Sequence, residues 1–158
     1  MFKILVSTLL LAGSVIFAGE LTTKKALNLS AVKVMVAAAE AEAKNRKVDV
    51  SICIVDENAT VIFLQKGEIA GINTLAYAQK KARHSALFGS PSKNAADQLK
   101  AGSLGVLVAP ESFPNQGGLP IKVDGKTIGA ISTSGAASEI DEAIAQAGID
   151  ALLAWLKQ

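Results

Sequence analysis

The chain has a single histidine, His84, and a single cysteine, Cys53. One imidazole and one thiol cannot furnish the several nitrogen and sulfur ligands of a zinc site within one chain. Any Ser-His-Asp triad would have to be built on His84. A lone cysteine also excludes an internal disulfide, so the fold rests on its apolar core and on any subunits that join it. No Gly-x-x-x-x-Gly-Lys loop and no Gly-x-Gly-x-x-Gly occurs, which leaves nucleotide chemistry without support. The net charge is only +2. Basic residues gather in small clusters at 24–25, 44–47 and 80–84, and no face basic enough for nucleic acid is implied. Internal repeats and low-complexity linkers are absent as well.

What is present begins with an apolar run. Lys3 precedes nearly unbroken apolar residues from 4 to 17, and Ala18-Gly19 offers small residues for cleavage. This is the pattern of a secretory signal peptide over residues 1–18. A membrane anchor is the competing reading, but the run falls short of the roughly 18–20 residues needed to span. No cysteine stands beside the cleavage point to carry a lipid. The expectation is a single domain over residues 19–158, periplasmic or secreted, with no stable membrane anchor after cleavage. In such a protein Cys53, inside the apolar pattern 50–55, is either a redox or ligand thiol or a small buried hydrophobe.

Residues 28–44 read as a helix, with Asn28 or Ser30 as cap and Val32, Met35, Val36, Ala39 and Ala43 at helical spacing. Residues 48–55 and 60–65 read as a hairpin around Asp56-Glu57-Asn58-Ala59. A second helix is expected over 71–88, and a short one from Pro91-Ser92 to Lys100. Residues 104–109 read as a strand, followed by a loop rich in Pro, Gly and Asn. Ser138 and Asp141 have the form of a capping box ahead of a last helix that buries Ile140, Ile144, Ala147, Leu152 and Trp155.

The rest of the chain is organised around residues 117–135. Ile121 and Val123 alternate with Lys122 and Asp124, and Asp124-Gly125 is a strong hairpin-turn signal. Gly117-Gly118 ahead of Pro120 permits a close backbone approach. Ser134-Gly135 leads out toward the last helix, where backbone N–H groups could meet an anion. The order of elements favours an α+β fold: a five-stranded antiparallel sheet with helices on both faces.

Gly117-Gly118-Leu119-Pro120, Val123-Asp124-Gly125, Gly129-Ala130-Ile131, Ser134-Gly135, Asp141-Glu142 and Ala145-Gln146-Ala147-Gly148 together resemble the GlcG/HbpS-type haem-binding family, to which the C-terminal domain of PduO is related. Ala78, Lys81, Ala82, Arg83, Leu87-Phe88 and Pro91-Ser92 extend the likeness. It implies a GlcG-like, profilin-related architecture, a haem or other tetrapyrrole ligand, and dimer-based homo-oligomers up to octamers. The chain departs from the family pattern at Ala59, where Gly is usual, at Gln65-Lys66-Gly67-Glu68, and at His84 and Ser85, where Thr and Ala are common.

With a haem expected, His84 is the candidate axial ligand because it is the chain's only imidazole, although the family commonly has Thr at this position. Tyr77, Lys81, His84 and Phe88 recur at four, three and four residues and share a helical stripe. Tyr77 could pack on the macrocycle or supply a phenolate, and Lys81 and Arg83 could pair with propionates. Gly117, Gly118 and Pro120 would shape a ligand-facing loop, with Ser134 and Gly135 near it across the hairpin. A plain alternative stands for each: His84 as a surface residue at a helix C-terminus, and the glycines as backbone geometry only. Asp141 and Glu142 are either an acid–base pair or a compensation of the helix dipole. No enzyme constellation emerges. The reading is an exported tetrapyrrole carrier, store or sensor accessory and not an enzyme; the competing one is an enzyme or accessory of glycolate-type catabolism, and a third is a structural oligomer whose ligand is incidental.

Overall fold

The computed structural model describes residues 22–158; the signal peptide expected over 1–18 lies outside the described residues. The elements run α1 Leu29–Asn45, β1 Ser51–Asp56, β2 Val61–Gln65, α2 Thr74–Phe88, α3 Ser92–Lys100, a 3-10 turn Leu104–Leu107, β3 Gly118–Val123, β4 Lys126–Ser134 and α4 Ser138–Trp155. The strands form one sheet in the order β2-β1-β4-β3, every neighbouring pair antiparallel. The α+β class and the helices on both faces are as expected. The sheet has four strands among the described residues, not five. Residues 104–109 make a 3-10 turn instead of a strand, and Leu104, Leu107 and Val108 are exposed. A short apolar run does not by itself distinguish strand from turn, and Gly105 inside this one weakens a strand.

Strand alternation sorts the core into two layers. Ile52 and Ile54 of β1, Ile131 of β4 and Ile121 of β3 face α1 and α4, where Met35, Ala39, Ile144 and Leu152 close the main core. Full burial of each such side chain contributes about 1.5–3 kcal/mol. Cys53, Val55 and Ala130 face the opposite way and meet Ala78, Ala82 and Ala86 of α2. Alanines let α2 lie close to the sheet, and polar contacts lock it there. Ser51 Oγ and Thr74 Oγ1 are 2.8 Å apart, and Ser132 Oγ donates to the Ala78 carbonyl.

Local signals are mostly honoured. Asn28 caps α1, its side chain accepting from Ala31 N–H at 2.8 Å. Ala59, where a glycine was expected, takes a φ of 61°. The Asp56 carboxylate holds this turn by accepting from the N–H groups of Asn58 and Thr60. The capping box before α4 does not form. Ser138 is already the first helical residue, and Ala137 occupies the N-cap without a side-chain bond; Asp141 accepts instead from Ala136 N–H, one residue further out. Gly129 is required by contact: its φ is +153°, and a Cβ there would lie 2.3 Å from the Val55 carbonyl oxygen. Gly129→Ala should therefore lower stability by at least about 2 kcal/mol, read as a fall in the urea midpoint. An unchanged midpoint would show that β1 and β4 can separate to admit a methyl group.

Candidate functional site

Lys81 of α2 is 1% exposed, and Asp141 of α4 is 2% exposed. Lys81 Nζ donates to Asp141 Oδ2 at 2.9 Å and to the Thr133 carbonyl at 2.9 Å. Asp141 Oδ1 accepts from Ala136 N–H at 3.0 Å, and Thr133 Oγ1 donates to the Asp141 carbonyl at 2.7 Å. The helices on opposite faces of the sheet are thus joined through it. Burial pulls the Lys81 ammonium below its usual range and pushes the Asp141 carboxyl above its own, each opposed by the partner's charge. Asp141 and Glu142 do not work as a pair: Asp141 faces Lys81, while Glu142 Oε2 is buried with no hydrogen-bond partner among the described residues.

Gly117 and Gly118 are explained by Lys81. A Cβ on Gly117, whose φ is +121°, would lie 2.7 Å from Lys81 Nζ; one on Gly118 would lie 2.4 Å from the Lys81 carbonyl oxygen. Both glycines are buried. Gly118 is also tied to α3, its N–H donating to Ser92 Oγ at 3.0 Å. Pro120 sits in β3 opposite Ala130, and Ser134 ends β4 opposite Ser51. Gly135 packs by its missing side chain on the Asp49 carbonyl. The structure thus brings Lys81, Gly117 and Gly118 together around an internal ion pair, which leaves Lys81 unavailable to a propionate. The spacing held a signal for this. Lys81 lies three residues after Ala78 and four before Ser85, on the small-residue face of α2 as much as on the stripe with Tyr77.

His84 is buried, at 3% exposure. Its Nδ1 accepts from Phe113 N–H at 3.1 Å, and its ring stacks on Phe88 with centroids 4.5 Å apart. A neutral imidazole that accepts at Nδ1 carries its proton on Nε2. A metal-binding histidine has the opposite arrangement, donating from the nitrogen that does not ligate. The geometry therefore does not suit the axial-ligand role, nor is His84 a surface residue. Tyr77 is partly exposed and meets Phe113 edge-on at 5.3 Å. Cys53 is fully buried and its thiol is pushed up to about 12 by desolvation, as a small hydrophobe. No group of three or more His, Cys, Asp or Glu able to hold a metal occurs among the described residues.

Three clefts matter. One of about 280 Å³ is lined by His84 and by residues of α3 and the 3-10 turn. Two larger ones, of about 450 and 460 Å³, lie beside residues 22–28 at the tip of the β3–β4 hairpin. They share Lys25, Val123, Asp124 and Ile128, and the Lys25–Asp124 ion pair, 2.5 Å long, stands between them. Lys24 and Lys126 rim the first; Trp155, Leu152 and Ala31 wall the second.

Two outcomes follow from the buried groups. Asp141→Asn should cost about 3–5 kcal/mol, because it strands a buried ammonium, whereas Lys81→Met with Asp141→Leu should cost much less; additive losses in denaturant melts would deny the coupling. For His84, burial holds the imidazole below its usual 6.5, so the unfolded chain takes up the proton first. Stability should be full above about pH 6.5 and decline as pH falls toward the folded-state value, with a limiting slope of about 1.4 kcal/mol per pH unit. His84→Asn keeps an acceptor for Phe113 N–H and should remove this component. Identical pH dependence of the two urea midpoints would refute it.

The comparisons with known proteins agree with this architecture. Protein GlcG of Escherichia coli strain K12 is 29% identical over 112 residues, covering 71% of this chain and 84% of its own. The crystal structure of HbpS superposes with a TM-score of 0.77 at 29% identity, covering 85% of this chain and 96% of that one. The crystal structure of a PduOC:heme complex gives 0.75 at 26% identity, covering 80% and 95%. The family model described as haem degrading protein HbpS-like matches residues 27–150, and the chain is a member of that HbpS-like family.

Proposed function

We propose that this protein binds haem or a related tetrapyrrole, as an exported carrier, store or sensor accessory and not as an enzyme. The observation that carries the reading is the family match over residues 27–150, reinforced by the likeness to a haem complex of PduOC. The paired clefts at the hairpin tip supply the fit. Their apolar walls, Val123, Ile128, Leu152 and Trp155, suit a macrocycle, and Lys24 and Lys126 suit propionates through charge-assisted bonds, Lys25 being engaged by Asp124. Their volumes fall within the range of about 300–1,000 Å³ usual for ligand sites. No imidazole, thiol or phenol lines either cleft, so the ligand is held by charge and apolar contact, with iron chemistry left to the haem itself. The apolar run after Lys3 supports export. Exposed Ile69 and Ile72, at 88% and 97%, and the open edge of β2 with Val61, Ile62 and Leu64 support a homo-oligomer.

A site of this kind is indifferent to iron. Haemin and metal-free protoporphyrin IX should bind with affinities within about threefold of one another, and Lys24→Glu with Lys126→Glu should weaken both by about threefold to tenfold. His84→Ala should leave haemin affinity in place. A low-spin haemin spectrum lost in His84→Ala, or far weaker binding of the metal-free porphyrin, would return the site to an iron ligand. Loss of the Soret band faster than for free haemin in ascorbate would make the protein an enzyme of haem breakdown.

A further inference from the structure

The His84 cleft has no part in tetrapyrrole binding as proposed above, and its chemistry differs from that of the hairpin-tip clefts. It lies between the end of α2, α3 and the 3-10 turn Leu104–Leu107. His84, Phe88, Ser90, Asn94, Gln98 and Ser112 contribute its aromatic and hydrogen-bonding surface. No charged side chain lines it. The nearby ions are engaged elsewhere: Arg83 forks onto Glu111 with both contacts at 2.9 Å, and Lys93 pairs with Asp97 on α3. At about 280 Å³ it is smaller than a drug-sized site.

Its floor is an unspent donor. With Nδ1 accepting from Phe113 N–H, Nε2–H is the ring's remaining polar group, and it has no hydrogen-bond partner among the described residues. The atom is not sealed off from solvent, so a ligand oxygen can take the place of water as its acceptor. The two amides of the wall, Asn94 and Gln98, and its three hydroxyls, Ser90, Ser103 and Ser112, both donate and accept. An anion would find no cation there, and a cation no carboxylate. We infer that this cleft binds a small uncharged polyhydroxy compound, of sugar or polyol type, with one ligand oxygen accepting from His84 Nε2–H and its carbon face against the Phe88 ring.

Because His84 is the only histidine, its imidazole NMR signals report this site without assignment by mutation. D-ribose, titrated into the full-length protein at about neutral pH, should move those signals saturably with a dissociation constant of about millimolar order; acetate should not. His84→Phe, which keeps a ring and loses the donor, should weaken D-ribose binding about tenfold, followed in that variant by ligand-observed saturation transfer. Gln98→Ala, an exposed substitution that spares the core, should weaken it severalfold and serves if His84→Phe does not fold. Haemin affinity should be the same with and without D-ribose. No saturable shift with D-ribose, an equal response to acetate, or unchanged D-ribose affinity in Gln98→Ala would each overturn the inference.

Discussion

An ammonium and a carboxylate locked together in the interior set the terms for much of this molecule. Two charges removed from water are tolerable only when their remaining hydrogen-bonding capacity is met, and Thr133, Ala136 and the sheet backbone meet it. To reach Asp141 the Lys81 ammonium passes the start of β3 and leaves no room for a side chain at 117, while the α2 backbone at Lys81 leaves none at 118. Asp141 meets both demands at once: Oδ2 accepts from Lys81 while Oδ1 accepts from Ala136 N–H just ahead of α4. One interaction thus accounts for Gly117, for the inward turn of Asp141 and for a fixed link between α2 and α4.

The sequence reading went furthest where local geometry is sufficient. The β3–β4 hairpin follows from Asp124-Gly125 and the alternation beside it, and α1 follows from Asn28 and the spacing of Val32, Met35 and Val36. Gly117-Gly118 was legible as a close approach, but the partner was not. Lysine is rarely buried, and spacing puts Lys81 on one stripe with Tyr77, His84 and Phe88, although its offset from Ala78 and Ser85 equally puts it on the packed face. Residues 104–109 carry enough apolar side chains for a strand; what they lack is a neighbouring strand to pair with, which only the assembled fold decides. His84 was weighed as ligand or surface residue, while its actual constraint, a backbone N–H from Phe113, comes from a loop 29 residues away.

The two kinds of cleft divide the molecule by chemistry. At the hairpin tip, lysines and an indole face open space. Between α2 and α3, the walls are amides, hydroxyls and stacked rings. The two regions lie on separate elements, the first built by the β3–β4 tip, α4 and residues 22–28, the second by α2, α3 and the 3-10 turn. Occupancy of one has no direct steric bearing on the other.

The burial of His84 also fixes how the molecule looks to its surroundings. Histidine is the side chain whose ordinary titration falls between pH 5 and 8, and this chain has put its only one inside, neutral, beneath Phe88 and the Phe113 backbone. Over much of that interval, then, the ring adds no charge of its own to the surface that a partner approaching through solvent meets.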